Sequence, residues 1–158
     1  MTTENVIEFR AEPHVSRPTH PGCAFEYFVG RERDGLLQKP FTRSLGNVSY
    51  HVPCHSRVQN IGQKTREVLE RIPGTTVNTV ERCAGHDGTW GVKQEFFADS
   101  MKIGKPVFQR MSDGEPHYIS SDCPIAGRRI EQGIVQGGGN NVRKEHPLTL
   151  LCIAYGLR

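Results

Sequence analysis

The residues of this chain best suited to chemistry are its five cysteines, Cys23, Cys54, Cys83, Cys123 and Cys152. Their number is odd. The N-terminus MTTENVIEFRAEP has no basic start followed by an apolar core. A secreted disulfide scaffold is therefore not expected. Metal binding, redox chemistry and simple burial remain. Cys54, Cys83 and Cys123 have the spacing C-x28-C-x39-C, and each closes a strand-like segment. Soft thiolates select zinc, copper(I) or iron–sulfur centres. Three thiolates are one donor short of a regular four-coordinate site. His86, in CAGHDG, or His55, next to Cys54, completes a three-cysteine, one-histidine set. His86 is the better placed, because its C-x2-H step to Cys83 matches the short ligand spacing of metal knuckles. Asp87 is then an acceptor for an imidazole N–H. His51 is a weaker candidate ligand, since its side chain must point the right way off a strand.

Each of these residues also has a plainer reading. A free cysteine is commonly a small buried hydrophobe. That is the expectation for Cys23 and for Cys152, which lies within an apolar segment. His86 suits a structural role in its loop as well as ligation, and His14 and His20 fall in a polar region that faces solvent. Cys54 with His55, or Cys83 with His86, offers a nucleophile near a base, but no third residue can be assigned to orient either pair. Arg57, Arg82 and Lys93 flank the cysteines. They either offset thiolate charge or are ordinary solvated residues.

These cysteines must be positioned by the elements around them. Residues 1–24 are polar and punctuated by Pro13, Pro18 and Pro21, and read as an extended arm. Residues 24–37 hold a short helix broken by glycines. Residues 48–52 (VSYHV) alternate as a strand, residues 65–72 form a helix stopped by Pro73-Gly74, and residues 75–80 are a β-branched second strand. Gly85, Gly88 and Gly91 make a loop. Residues 92–111 form one long helix or two shorter ones with a break at Pro106. Residues 117–121 are a third strand, 125–134 a helix, 137–139 a glycine loop and 148–155 a final apolar helix. Strand, cysteine, helix occurs three times. The pattern predicts an α/β, Rossmann-like layered fold with a small, mostly parallel sheet, as one domain over 25–158. In such folds ligands bind beyond the carboxyl ends of the strands, which is where Cys54, Cys83 and Cys123 fall. Each is also expected near a helix start, where free N–H groups favour an anionic sulfur.

Composition narrows the function classes. With 158 residues, 35% hydrophobic, the chain is long enough for a real core. No run of about 18 apolar residues exists, so no membrane span of its own is expected. A net charge of +3, with its basic residues dispersed, argues against nucleic acid as a partner. The nucleotide fingerprints G-x-G-x-x-G and G-x-x-x-x-G-K-[ST] are absent. A cytoplasmic location is expected.

Four stretches carry a family resemblance. They are YHVPCHSRVQNIGQKTREVLERIPG (50–74), ERCAGHDGTWGVKQEFFADSMKIGKPVF (81–108), DCPIAGRRIEQG (122–133) and HPLTLLCIAYG (146–156). In the same order, over about 25–156, they resemble the cysteine-rich CCG-domain family. That family includes the iron–sulfur subunits of anaerobic glycerol-3-phosphate dehydrogenase and heterodisulfide-reductase-related proteins. The resemblance implies an electron-transfer domain that works with a flavoprotein dehydrogenase subunit and further iron–sulfur domains. It implies a quinone-linked acceptor and peripheral attachment to the cytoplasmic membrane through partners. The implied cofactor is an iron–sulfur cluster of the 4Fe–4S type, or zinc. The family's cysteine pattern falls on Cys54, on Cys83 with Ala84, and on Cys123 with Ala126, so two of its five cysteines are alanine here. Three outcomes follow: a cluster held by Cys54, Cys83 and Cys123 with His86 or another ligand; zinc; or a vestigial site in a metal-free docking domain. The family's ferredoxin-type cysteine run is absent and one cysteine-rich unit is present. A fragment, a separate subunit and a stand-alone domain all fit.

Overall fold

The computed structural model describes residues 23–37, 40–60, 62–139 and 142–158. Most of the expected arm lies outside them. Its last residues, Cys23 and Ala24, already belong to the start of the first helix.

Four strands form one all-parallel sheet in the order β2-β1-β3-β4. They are β1 (Gly46–His51), β2 (Thr75–Val80), β3 (Tyr118–Ser121) and the two-residue β4 (Arg143–Lys144). β1 is central. His51 pairs with Val80 on one side and Ser121 on the other, so three strands end level with one another. Side chains alternate across the sheet. Val48, Tyr50 and Val52 enter one core with Phe25, Val68, Leu69 and Leu150, from helices α1 (Ala24–Arg33), α3 (Lys64–Leu69) and α6 (Pro147–Ala154). Ile119 and Val80 enter a second core with Val107, Phe108, Met111, Ile130 and Ile134, from α4 (Phe97–Ser112) and α5 (Pro124–Gln136). A short helix, α2 (Cys54–Val58), follows β1 directly. The parallel α/β fold read from the sequence is the one observed.

Two features differ from expectation. Helix α4 runs unbroken across Pro106, and residues 90–96 form two 3₁₀ turns instead, Trp90–Val92 and Gln94–Phe96. Ser100, Gly104, Val107, Phe108 and Met111 make one buried stripe spanning the proline. A proline inside a helix costs about 3 kcal/mol. Burying Val, Phe and Met side chains returns about 1.5–3 kcal/mol each, so packing wins. Phe108 sits in a notch between Gly104 and Gly133, where an added Cβ would come within 2.2 and 2.1 Å of its ring. The second difference is Cys152. It is exposed, because α6 turns Leu150, Leu151, Ile153 and Ala154 inward and leaves position 152 on the solvent side.

Candidate metal centre

The strand order contains a switch point. The chain leaves β1 toward β2 and leaves β3 toward β4, in opposite directions. A crevice therefore opens at the carboxyl ends of β1 and β3, where α/β folds bind ligands. Cys54 lies three residues past His51 and begins α2. Cys83 lies three past Val80, and Cys123 two past Ser121. All three thiols thus belong to one edge of the sheet.

Their surroundings differ. Cys54 is exposed, and the Arg57 guanidinium donates to its sulfur at 3.2 Å. Cys83 is exposed and accepts from the Gly85 N–H at 3.3 Å. It sits in a loop and begins no helix, unlike its sequence expectation, because the glycines after it turn the chain with positive φ at Gly85 and Gly88. Cys123 is half-buried and is the N-cap residue of α5. Its Sγ lies 3.9 Å from His86 Nε2. His86 Nδ1 is buried and has no hydrogen-bond partner. Burial pushes the His86 pKa below its ordinary 6.5; the Gly88 backbone, near the ring but outside hydrogen-bonding geometry, opposes this shift, and the Arg129 charge adds to it. The structure therefore brings His86 and Cys123 together. Cys54 and Cys83 lie on the same edge, but among the described residues no three His, Cys, Asp or Glu side chains gather as a ready metal site. His55 is exposed and lines a pocket of about 180 Å³ on the α1/α3/α6 side, with Cys23, Tyr50 and Asp122. Cys23 opens α1 and packs on the first core, and burial raises its thiol pKa.

The roots of these cysteines are tied together. His51 is buried at 1% exposure. Its Nε2 lies 2.8 Å from the Arg82 carbonyl, which can only accept, so Nε2 carries the proton. The Ser121 hydroxyl then donates to Nδ1 at 3.1 Å, and its oxygen accepts the Cys123 N–H at 3.3 Å. One imidazole thus joins the residue before Cys83 to the residue before Asp122-Cys123. On the opposite face, Tyr50 and Thr65 hydroxyls donate to the Asp122 carboxylate, Thr65 at 2.9 Å. Burial, and then the Asp122 charge, push the Tyr50 pKa well above the phenol range, so it stays a donor. The β3–α5 turn is held from both sides of the sheet.

Sequence reasoning weighed His51 only as a weak ligand and missed this bridging role. Its signal was the alternation of β1, which puts position 51 opposite Val48, Tyr50 and Val52. The flanking cations Arg57, Arg82 and Lys93 are all exposed. Among the described residues the buried cation is Arg129, which shares the inward face of α5 with Ala126, Ile130 and Gly133. Ala84 and Ala126, the alanines at two cysteine positions of the family pattern, are 3% and 1% exposed in the second core.

Residues 48–125 match the family described as "CCG: Cysteine-rich domain", a range that includes Cys54, Cys83, His86 and Cys123 and leaves out Cys23 and Cys152. Among curated proteins the chain is similar to the C subunit of anaerobic glycerol-3-phosphate dehydrogenase from Escherichia coli K12. The identity is 33% over 108 residues, 68% of this chain and 26% of that protein. The same figures hold for the corresponding protein of Escherichia coli O157:H7. The chain spans about a quarter of the length of these relatives. No solved structure matches it. Among the described residues no helix is long and apolar enough to cross a membrane.

Proposed function

We propose that this chain is an electron-transfer component of a flavin-dependent dehydrogenase, with an iron–sulfur centre held by Cys54, Cys83, Cys123 and His86. The observation that carries the reading is the placement of three thiols beyond the level ends of parallel strands, on both sides of a switch point. The donor set fits the group in two respects. Thiolates are soft ligands and imidazole a borderline one, and both suit iron or zinc. His86 also carries a buried, unpartnered ring nitrogen while its other nitrogen faces Cys123. The centre, when bound, supplies one-electron chemistry. The protein's part is to place the ligands through His51, Ser121 and Asp122, and to tune the centre by burial and hydrogen bonds. In this reading the domain works with a flavoprotein subunit, further iron–sulfur domains and a quinone-linked acceptor. It sits at the cytoplasmic face of the membrane through those partners. The relatives are named as a subunit of a dehydrogenase, which supports a role in a multisubunit oxidoreductase.

A second reading has its own support. With alanine at 84 and 126, three thiols and one imidazole remain, which is the composition of a structural zinc site. The domain then serves docking rather than relay. Metal and acid-labile sulfide analysis of anaerobically purified protein separates the two. Iron with sulfide near cluster stoichiometry is expected. Zinc without sulfide supports the second reading, and folded protein that binds neither after reconstitution sinks both.

A further inference from the structure

Arg129 is a buried cation with no anionic partner among the described residues. It is 5% exposed. Its guanidinium donates to the Gly91 carbonyl, to Met101 Sδ at 3.2 Å and to Gln132 Oε1 at 3.2 Å, and lies 4.9 Å over the Phe97 ring. Every one of these partners is neutral. Among the described residues it takes part in no ion pair. Leaving a buried charge uncompensated costs several kcal/mol. Neutral acceptors and a ring face reduce that cost without cancelling it.

The geometry points Arg129 at the loop that carries His86. The Gly91 N–H donates to the His86 carbonyl at 2.8 Å, closing the loop, and the Gly91 carbonyl is the one Arg129 grips. Position 91 tolerates no side chain, since a Cβ there would lie 2.6 Å from Ser100 Oγ and 2.8 Å from the Gly85 carbonyl. Arg129 is also on the helix that Cys123 caps. The loop and the cap therefore meet across one residue. The other nearby cations, Arg57, Arg82, Lys93 and Arg128, are exposed and screened by water and salt. Arg129, at 5% exposure, is screened less than they are.

We propose that Arg129 is a positioning residue of the centre: it holds the 85–91 loop in place and supplies the buried positive charge that balances an anionic thiolate site. The charge part rests on the reading of the centre given above. A fixed positive charge favours the reduced state, which is the more negative one, and so raises the midpoint potential.

The test uses the full chain, reconstituted with iron and sulfide, as wild type, Arg129→Met, Arg129→Lys and the exposed control Arg128→Gln. Arg129→Met removes the charge but keeps an apolar volume, and Arg129→Lys keeps the charge. Arg129→Met is expected to lower the reduced-to-oxidised ratio at a fixed potential by about tenfold, or about 59 mV for one electron. Arg129→Lys and Arg128→Gln are expected to stay within about threefold of wild type, roughly half that shift. In metal-free protein, amide exchange at Gly91 is expected to rise about tenfold in Arg129→Met, with the Val48 and Ile119 amides unchanged. An unmoved midpoint in Arg129→Met, or equal shifts in Arg129→Met and Arg129→Lys, overturns the charge role. Unchanged exchange at Gly91 overturns the loop role. If wild type takes up no centre, the functional reading fails and the exchange result alone decides whether Arg129 holds the loop.

Discussion

His51 uses both of its ring nitrogens inside the protein, one toward the Arg82 carbonyl and one toward Ser121. His51→Phe removes both bonds, leaving the Arg82 carbonyl without this donor and the Ser121 hydroxyl with only the Cys123 N–H. The expected loss of stability is about 2–4 kcal/mol, read from denaturant melts. A loss under about 0.5 kcal/mol would contradict the bridging role. Cys152 behaves oppositely. It is exposed, so Cys152→Ser is expected to change stability by less than about 0.5 kcal/mol. The sequence made Cys54, Cys83 and Cys123 legible through their positions after strand-like segments. It did not reveal Arg129. Arg128 and Arg129 are the same residue type side by side, and only the phase of α5 buries one and exposes the other.

Among the elements, the loop after β2 is the most constrained. Gly85 has φ +79°, and a Cβ there would lie 2.2 Å from the Ser100 carbonyl oxygen of α4. Gly88 has φ +57° and open space around it. Gly88→Ala is therefore expected to cost only the left-handed backbone penalty, about 1–2 kcal/mol. Gly85→Ala adds a backbone clash and is expected to cost at least about 2 kcal/mol more. Thermal melts of the two variants check the difference, and equal costs would contradict the close approach of loop and helix. The β-branched run of β2 was legible to the residue, because strand propensity and burial agree there. Helix α4 was not. Local preference at Pro106 and tertiary burial oppose each other, and the buried stripe decides. The two-residue β4 has too little sequence to carry a pattern.

At the scale of the molecule, one parallel sheet carries two cores; its central strand lines the first with Val48 and Tyr50 and carries the buried polar Ser49 and His51 between them. Its polar seam makes stability depend on pH. The His51 pKa is lowered from its ordinary 6.5, chiefly by burial, with the Arg57 and His86 charges adding and the Arg82 carbonyl and Asp122 opposing. Below about pH 6.5 the unfolded chain binds a proton that the native chain excludes. Stability is therefore fully present above that pH and falls as the pH is lowered through it. Urea midpoints at pH 7.5 and 5.5 check this, and the drop is expected to be smaller in His51→Gln than in wild type. The α/β class and the common edge for three cysteines followed from element order alone. Which thiols lie exposed and which meets a histidine depended on loop geometry that no local pattern specifies.

The central claim is that Cys54, Cys83 and Cys123 serve one centre while Cys23 and Cys152 do not. Its most direct test is the iron and sulfide content of five single cysteine-to-serine variants, each reconstituted anaerobically beside wild type. Loss of most of the bound metal in Cys54→Ser, Cys83→Ser and Cys123→Ser is predicted, with wild-type content in Cys23→Ser and Cys152→Ser. Equal retention of metal across all five variants would contradict it.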